Sequence, residues 1–216
     1  MDTVIDRFNK IKSYIINQNN SKKTNIIAVS KTFDLTYIKP LADSGHLHFG
    51  ENKVQEAEKK WKSFVANNKE IKLHMVGKLQ SNKAKKAVEL FHYVHSLDNE
   101  KLAETLSKAE DSLKKKLNYF IQVNVGMENQ KSGISPDQTK EFYDYCTKEM
   151  KLKVIGLMAI PPNDGEEEKH FKFLNESNIS LGLKDLSIGM SGDYKKALNF
   201  NATFLRIGTA IFGKRS

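Results

Sequence analysis

Apolar residues along this chain fall into short, nearly continuous runs, separated by longer stretches in which apolar and polar positions are mixed. The runs have the length of strands and are rich in β-branched and aromatic residues. Continuous rather than alternating hydrophobicity is typical of strands that are buried on both faces. Eight strands are therefore predicted, at residues 26–30, 47–49, 73–77, 93–97, 119–125, 154–160, 186–190 and 203–208.

The stretches between the runs carry apolar residues at every third or fourth position, which predicts amphipathic helices. The clearest helix covers residues 52–65, and a second covers residues 99–113 with Asp98 as its predicted N-cap. Because proline is favoured in the first turn of a helix, another helix is predicted to begin at Ser135-Pro136. Further helices are predicted at residues 4–17, 166–175 and 192–199.

Strands and helices alternate along the chain, with no Pro-rich or Ser-rich linker to divide it. Such alternation implies a parallel sheet with helices packed against it. Eight units fit a single domain over residues 1–216, with an α/β fold of the (β/α)8 TIM-barrel type and an extra helix at the N-terminus. A doubly wound open sheet is the alternative, since periodicity alone does not separate the two folds.

Cysteine content and hydropathy limit where the protein is expected to work. The one cysteine, Cys146, excludes an internal disulfide and a multi-cysteine metal site. No apolar run reaches the roughly 20 residues of a membrane helix. The N-terminal residues lack the apolar core of a signal peptide. We therefore expect a cytoplasmic protein with no membrane association.

The formal net charge of +9 raises the question of a nucleic-acid partner. Lysine supplies nearly all of the 35 basic residues, whereas arginine, which makes bidentate contacts to bases, is rare. No zinc-finger spacing or RNA-binding strand motif accompanies the charge. The lysines are interpreted as a solvated surface, and specific nucleic-acid binding is not expected.

Chemistry in a barrel of this type is expected at the face where the strands end. Lys31 directly follows the first run. Its amine reaches solvent, pairs with a carboxylate, or lies in a dry mouth where desolvation leaves it nucleophilic. Arg206 lies within the last run and, because side chains alternate, is predicted to point into the barrel together with Phe204. Since the first and last strands of a closed barrel are neighbours, Lys31 and Arg206 are expected at the same mouth.

Small residues follow the last two strands and allow backbone N–H groups to approach an anion closely. Ser191-Gly192 comes after the seventh run. Gly208-Thr209 comes after the eighth run, where a short terminal helix is expected to begin. The loops after these two strands form the common phosphate site of such barrels, so an anion site is predicted here.

The six histidines predict no metal site. His46 and His48 are expected to point to the same side of a strand, and His92 and His95 lie at the edge of an apolar run. Neither pair has a third ligand at a spacing that metal sites use. Spacing also identifies no nucleophile with its base, so no catalytic residue is predicted.

The strand-end motifs resemble those of the pyridoxal 5′-phosphate (PLP) homeostasis proteins, also called the YggS or PROSC family, along nearly the whole chain. The matching blocks are AVSKT (28–32), HFGENKVQE (48–56), HMVGKLQSNK (74–83), QVNVGMENQKSG (122–133), GLMAIPP (156–162), LSIGMSGDY (186–194) and RIGTAIFG (206–213). Because seven blocks occur in the right order, the match is specific. The resemblance implies a PLP-binding barrel similar to the N-terminal domain of alanine racemase.

The resemblance also implies roles for individual residues. Lys31 matches the lysine that holds PLP as a Schiff base, and Arg206 matches the arginine that faces the pyridine nitrogen. The other candidate positions are Ser191, Gly208 and Thr209 at the phosphate, Gly192 beside them, Ser187 as a further phosphate candidate, Asn52 beside the ring, and His74 and Met158 along the pocket wall.

The implied function is that of a PLP carrier or buffer in intracellular vitamin B6 homeostasis, with effects on amino-acid balance. Its implied partners are PLP and the apo forms of PLP-dependent enzymes, and a monomer is expected. An arginine opposite the pyridine nitrogen disfavours a proton there and makes PLP a weaker electron sink. Few residues follow the last block, so we expect the second domain of alanine racemase, with one of its catalytic bases, to be lacking. A slow PLP-dependent amino-acid racemase is the alternative.

Overall fold

A computed structural model describes residues 2–18, 24–128 and 130–213, and its strands form one closed parallel barrel. The strands lie in chain order and β1 pairs with β8, so the predicted barrel is confirmed and the open sheet is wrong. Residues 1 and 214–216, the ends of the predicted domain, lie outside the described residues. The strands are β1 (Asn25–Val29), β2 (His48–Glu51), β3 (Lys72–Met75), β4 (Tyr93–Leu97), β5 (Asn118–Gln122), β6 (Val154–Met158), β7 (Asp185–Met190) and β8 (Phe204–Ile207).

Helices connect the strands, and one helix precedes the first strand as predicted. The α-helices are α1 (Val4–Asn17), α2 (Leu35–Asp43), α3 (Val54–Asn67), α4 (Ala84–Leu90), α5 (Glu100–Leu113), α6 (Thr139–Asp144), α7 (Glu167–Ser180), α8 (Tyr194–Ala197) and α9 (Thr209–Phe212). Short 3-10 turns at Ser81–Lys83, Pro136–Gln138 and Leu198–Phe200, and a π turn at Tyr145–Glu149, extend several of them. None of the helices in the described ranges is long and apolar enough to cross a membrane.

Several boundaries differ from the sequence-based predictions; α7, for example, ends at Ser180 and not at residue 175. The N-cap of α5 is Asn99 and not Asp98, because Asn99 Oδ1 accepts a hydrogen bond from the Leu102 N–H at 2.9 Å. β5 ends at Gln122, before the predicted end at residue 125. The chain turns there because the Asn124 side chain bonds both the C=O and the N–H of Glu128.

Apolar side chains form two layers, one between the strands and the helices and one inside the barrel. The alternation predicted for β8 is confirmed, since Leu205 and Ile207 lie in the outer layer and Phe204 lies in the inner one. The buried residues of the inner layer are Ile27, Val29, Phe120, Met158 and Phe204. The inner layer therefore forms a packed floor beneath the ends of the strands.

The N-terminal helix belongs to the outer layer. The buried side chains of α1 recur every three or four residues, from Val4 to Ile15, as a helix with one apolar face requires. Its first turn is closed by a capping box between Thr3 and Asp6. Arg7 Nε donates a hydrogen bond to the C=O of Ile211 at 2.6 Å, which ties the first helix to α9.

Candidate functional site

Lys31 lies just beyond the end of β1, after the fully buried Ser30. Its side chain is half-buried. Within the described part of the chain, the amine has no carboxylate at ion-pair distance and no hydrogen-bond partner. The interpretation in which Lys31 pairs with a carboxylate therefore finds no support there.

Two neighbouring loops flank Lys31 at this mouth. Val29 pairs with Gly50 in the β1–β2 register, so Lys31 and Asn52 lie at the same level beyond the ends of adjacent strands. On the other side, a Cβ atom added at Gly208 would lie 3.3 Å from the C=O of Val29. Small size at position 208 thus lets the loop after β8 approach the end of β1.

Asn52 carries an unused acceptor in this region. Its Oδ1 atom is buried and has no hydrogen-bond partner in the described ranges. Behind it, a Cβ atom at Gly77 would lie 2.4 Å from the Asn52 C=O, so only glycine fits there. A buried acceptor without a partner costs free energy, which a donor on a bound molecule would recover.

Arg206 points into the barrel, as predicted, and is 5% exposed. Its Nη1 atom donates to Ser187 O at 2.6 Å and to Ser187 Oγ at 2.7 Å, and its Nη2 atom donates to Ala159 O at 2.8 Å. Burial lowers the pKa of Arg206 to about 10, so the guanidinium is still a cation at neutral pH. Because these acceptors are neutral, the buried charge favours an anionic or electron-rich ligand nearby.

The loops after β7 and β8 bring two N–H groups to one oxygen. Ser191 Oγ accepts hydrogen bonds from the backbone N–H groups of Gly208 and Ala210, each at 3.2 Å. Gly192 and Thr209 lie beside this point and are exposed. Convergent backbone N–H groups at a small residue are a typical way to bind a phosphate oxygen.

Three histidines on adjacent strands form a hydrogen-bonded chain inside the barrel. His48 Nδ1 lies 2.9 Å from His74 Nε2, and His74 Nδ1 lies 2.9 Å from His95 Nε2. His95 Nδ1 then lies 2.9 Å from Ser187 Oγ, the same hydroxyl that binds Arg206. His74 and His95 are fully buried, and both ring nitrogens of His74 are used within this histidine chain.

Burial holds the pKa of His74 and of His95 well below the usual range. Neighbouring charge adds to this effect, from His95 on His74 and from Arg206 on His95. Both rings are therefore neutral at physiological pH, with one donor and one acceptor nitrogen each. Because Arg206 only donates, Ser187 Oγ accepts from Arg206 and donates its own proton to His95 Nδ1. His95 then carries its proton on Nε2 and donates it to His74 Nδ1. His74 is likewise protonated on Nε2, so both rings are Nε2–H tautomers.

Sequence-based prediction missed this arrangement. His46 and His48 do not point to the same side of a strand, because His46 precedes β2 and packs at 4.5 Å from the Phe8 ring while His48 faces His74. His95 received no role, although it lies at an inward position on β4, next to the strand of His74. Inward histidines on three consecutive strands are the signal that would have found the chain.

Comparison with known proteins places the chain in a family. The model of the alanine racemase N-terminal domain family matches residues 3–216. A pyridoxal phosphate homeostasis protein of Pasteurella multocida is 36% identical over 200 residues, which cover 88% of this chain and 86% of that protein. The protein of the same name from Vibrio cholerae is 38% identical over 200 residues, which cover 88% of this chain and 85% of that protein.

Solved structures agree with this relationship. PipY of Synechococcus elongatus, solved with PLP bound, has a TM-score of 0.83 and 31% identity, and the match covers 98% of this chain and 100% of PipY. Alanine racemase of Clostridium difficile shares the fold with a TM-score of 0.78 at 13% identity, over 100% of this chain and 57% of that enzyme. The chain therefore belongs to the pyridoxal phosphate homeostasis protein family, whose barrel is that of the alanine racemase N-terminal domain.

Proposed function

We propose that this protein binds PLP as a Schiff base on Lys31 and holds it in reserve for intracellular PLP homeostasis. One observation carries the proposal. Lys31, which has no ion-pair partner in the described ranges, follows β1, and the buried Arg206 points inward from the neighbouring strand β8. The convergent N–H groups of Gly208 and Ala210 follow β8 at the same end of the barrel as Lys31. PipY, which has the same fold and 31% identity, was solved with PLP bound.

The residues present fit PLP in charge and in kind. The phosphate would bind beside Ser191, at the backbone N–H groups of Gly208 and Ala210 that now donate hydrogen bonds to Ser191 Oγ. Thr209 and Gly192 would border the phosphate. Ser187 would lie deeper in the barrel, where its hydroxyl holds Arg206. Arg206 would supply the positive charge toward the pyridine nitrogen. Asn52 would lie beside the ring, with Met158 and His74 in the wall beneath it.

We propose a carrier rather than an enzyme. When bound, PLP supplies an aldehyde for Schiff-base formation and a ring that withdraws electrons. Arg206 cannot accept a proton and is held in place by Ser187 and Ala159, so it opposes a proton on the pyridine nitrogen and weakens that withdrawal. The recipients that fit this role are apo PLP-dependent enzymes, through which the protein would affect amino-acid balance. A cytoplasmic monomer suits such exchange.

A slow amino-acid racemase is the second candidate, favoured by the fold shared with alanine racemase. The carrier and racemase functions are distinguished by incubating the PLP-loaded protein with L-alanine in deuterated water. A carrier leaves the α-proton in place. Exchange of that proton, lost in Lys31→Ala, would identify an enzyme instead.

The binding proposal is tested by absorbance of the purified protein after addition of PLP. We expect a band near about 420 nm, from a protonated lysine Schiff base, that borohydride bleaches. Lys31→Ala should lack the band. Lys78→Ala is the matched control, because Lys78 is an exposed lysine that follows β3 at the same face of the barrel. A wild-type protein without the band would contradict the proposal.

A further inference from the structure

A buried polar cluster lies behind Lys31, between β2 and α3. Glu51 is fully buried, and its Oε1 atom accepts hydrogen bonds from Ser30 Oγ at 2.8 Å, Lys60 Nζ at 2.9 Å and Trp61 Nε1 at 2.9 Å. The Lys60 side chain is 9% exposed. All three donors converge on this one oxygen, while Glu51 Oε2 is buried without a hydrogen-bond partner in the described ranges, so the ion pair is held in place through Oε1.

The same helix holds the backbone on both sides of Lys31. Lys60 Nζ donates to the C=O of Ser30 at 2.9 Å, and Glu56 Oε1 accepts from the N–H of Thr32 at 2.6 Å. Glu56 and Lys60 are one helical turn apart, with Glu56 Oε1 and Lys60 Nζ separated by 3.7 Å. We call Glu56 and Lys60 of α3, together with the β2 carboxylate of Glu51 that holds Lys60, the α3 clamp. It fixes the two peptide units that flank Lys31, and with them the direction of the Lys31 Cα–Cβ bond.

Thr32 shows that this hold has a cost. Its φ angle is +70°, in the left-handed region that a β-branched residue rarely adopts. Such strain persists where the surroundings over-determine the conformation, and it concentrates at functional sites. The bond from Thr32 to Glu56 opposes relaxation of this turn, together with the Phe33 N–H, which donates to the Ser30 C=O at 3.1 Å.

We propose that Glu56 and Lys60 are positioning residues for Lys31. They hold its backbone so that the amine is presented to the aldehyde of PLP, which raises the rate of Schiff-base formation. In that step the Lys31 nitrogen attacks the aldehyde carbon, a C=N bond forms, and the aldehyde oxygen leaves as water. The α3 clamp acts through the backbone and takes no part in the bonds that change. This proposal rests on the proposed role of Lys31.

The first test needs no PLP. Hydrogen exchange of the Thr32 amide is measured by NMR in the wild-type protein and in Glu56→Ala. We expect exchange to become roughly tenfold faster in Glu56→Ala, about the effect of one lost charged hydrogen bond. Gln55→Ala is the matched control, because Gln55 is the exposed neighbour on the same helix. Equal protection in Glu56→Ala and the wild type would overturn the clamp.

The second test measures the rate of Schiff-base formation by stopped-flow absorbance. We expect Glu56→Ala and Lys60→Met to be about tenfold slower than the wild type while circular dichroism shows a folded protein. Glu56→Gln keeps an acceptor oxygen for Thr32 and should recover most of the rate. Lys59→Met, at an exposed position beside Lys60, should react at the wild-type rate.

The outcomes separate this proposal from the one on which it rests. Lys60→Met leaves the buried Glu51 charge unpaired, so if it fails to fold, Glu56→Ala carries the test, because the Glu56 side chain is 30% exposed. A wild type that forms no Schiff base overturns the proposed function and the positioning role together. A normal Schiff base in the wild type with an unchanged rate in folded Glu56→Ala overturns the positioning role alone.

Discussion

The guanidinium of Arg206 donates a hydrogen bond to the hydroxyl of Ser187 at 2.7 Å, deep in the barrel. The same hydroxyl lies 2.9 Å from His95 Nδ1, so one serine connects the arginine at the candidate site to the histidine chain. Arg206 is therefore not free to turn toward other ligands, and its charge stays at a fixed place beneath the mouth.

Removal of this hydroxyl should be costly. Ser187→Ala leaves His95 Nδ1 and one N–H of Arg206 without their partner in a fully buried site. We expect a loss of about 1–3 kcal/mol in the free energy of unfolding. Urea titration measures it, with Ser177→Ala on α7 as the control, because the Ser177 hydroxyl bonds the backbone at the protein surface. Equal stability of the two variants would show that the hydroxyl does not hold Arg206.

The histidine chain should have one tautomer and no charge. Nitrogen-15 NMR of the imidazoles is expected to show Nε2–H, Nδ1-unprotonated rings for His74 and His95. Because burial depresses both pKa values, these signals should stay constant from pH 7.5 down to pH 5. A protonated His95 at pH 6 would contradict the assignment.

Stability should fall in mild acid. Burial lowers the pKa of His46 to about 4, whereas a histidine in the unfolded chain titrates near about 6.5. Between these values the unfolded state binds a proton that the folded state does not. The contribution of the neutral His46 to the free energy of unfolding is therefore complete above about pH 6.5 and is lost as pH falls toward about 4. Urea midpoints at pH 7.5 and pH 5 measure this loss.

A variant isolates the contribution of His46 to that pH dependence. His46→Gln keeps a side-chain donor for the His48 C=O, which His46 Nε2 contacts at 2.8 Å, but does not titrate. We expect the variant to lose less stability between pH 7.5 and pH 5 than the wild type does. The same loss in both proteins would assign the pH dependence to other groups.

PLP binding at the loops after β7 and β8 should depend on the charge of residue 191 rather than on its shape. Ser191→Asp places a carboxylate where the Gly208 and Ala210 N–H groups converge, so the protein should fold but repel a phosphate. We expect PLP affinity to fall at least roughly tenfold, or about 1.4 kcal/mol. Ser191→Asn is the neutral control of similar shape. Fluorescence titration with PLP measures both affinities. Equal affinities in the two variants would show that the phosphate does not bind at this loop.

Much of the fold followed from local pattern. β8 shows why: Phe204 and Leu205 face opposite layers because side chains alternate along a strand, and that rule needs no knowledge of the rest of the chain. The cap of α5 was misplaced by one residue, at Asp98 instead of Asn99, since both residues are good caps and only the backbone geometry separates them.

The partners of the candidate site did not follow from pattern. Lys59 and Lys60 are adjacent in a lysine-rich helix, yet one is exposed and the other reaches the buried Glu51. The pairing of His74 with His95 depends on the register of β3 and β4, which the sequence of neither strand states. Contacts between elements distant along the chain are set by packing, which composition does not contain. From composition alone, Lys60 was therefore interpreted as part of a solvated surface.

Lys31 is the residue that we propose to hold PLP. The most direct measurement is to add PLP to the wild-type protein, reduce it with borohydride, digest it and locate the pyridoxyl group by peptide mass spectrometry. We expect the modification on the peptide that contains Lys31, at one group per chain. Modification spread over the surface lysines, with Lys31 unmodified, would contradict this role of Lys31.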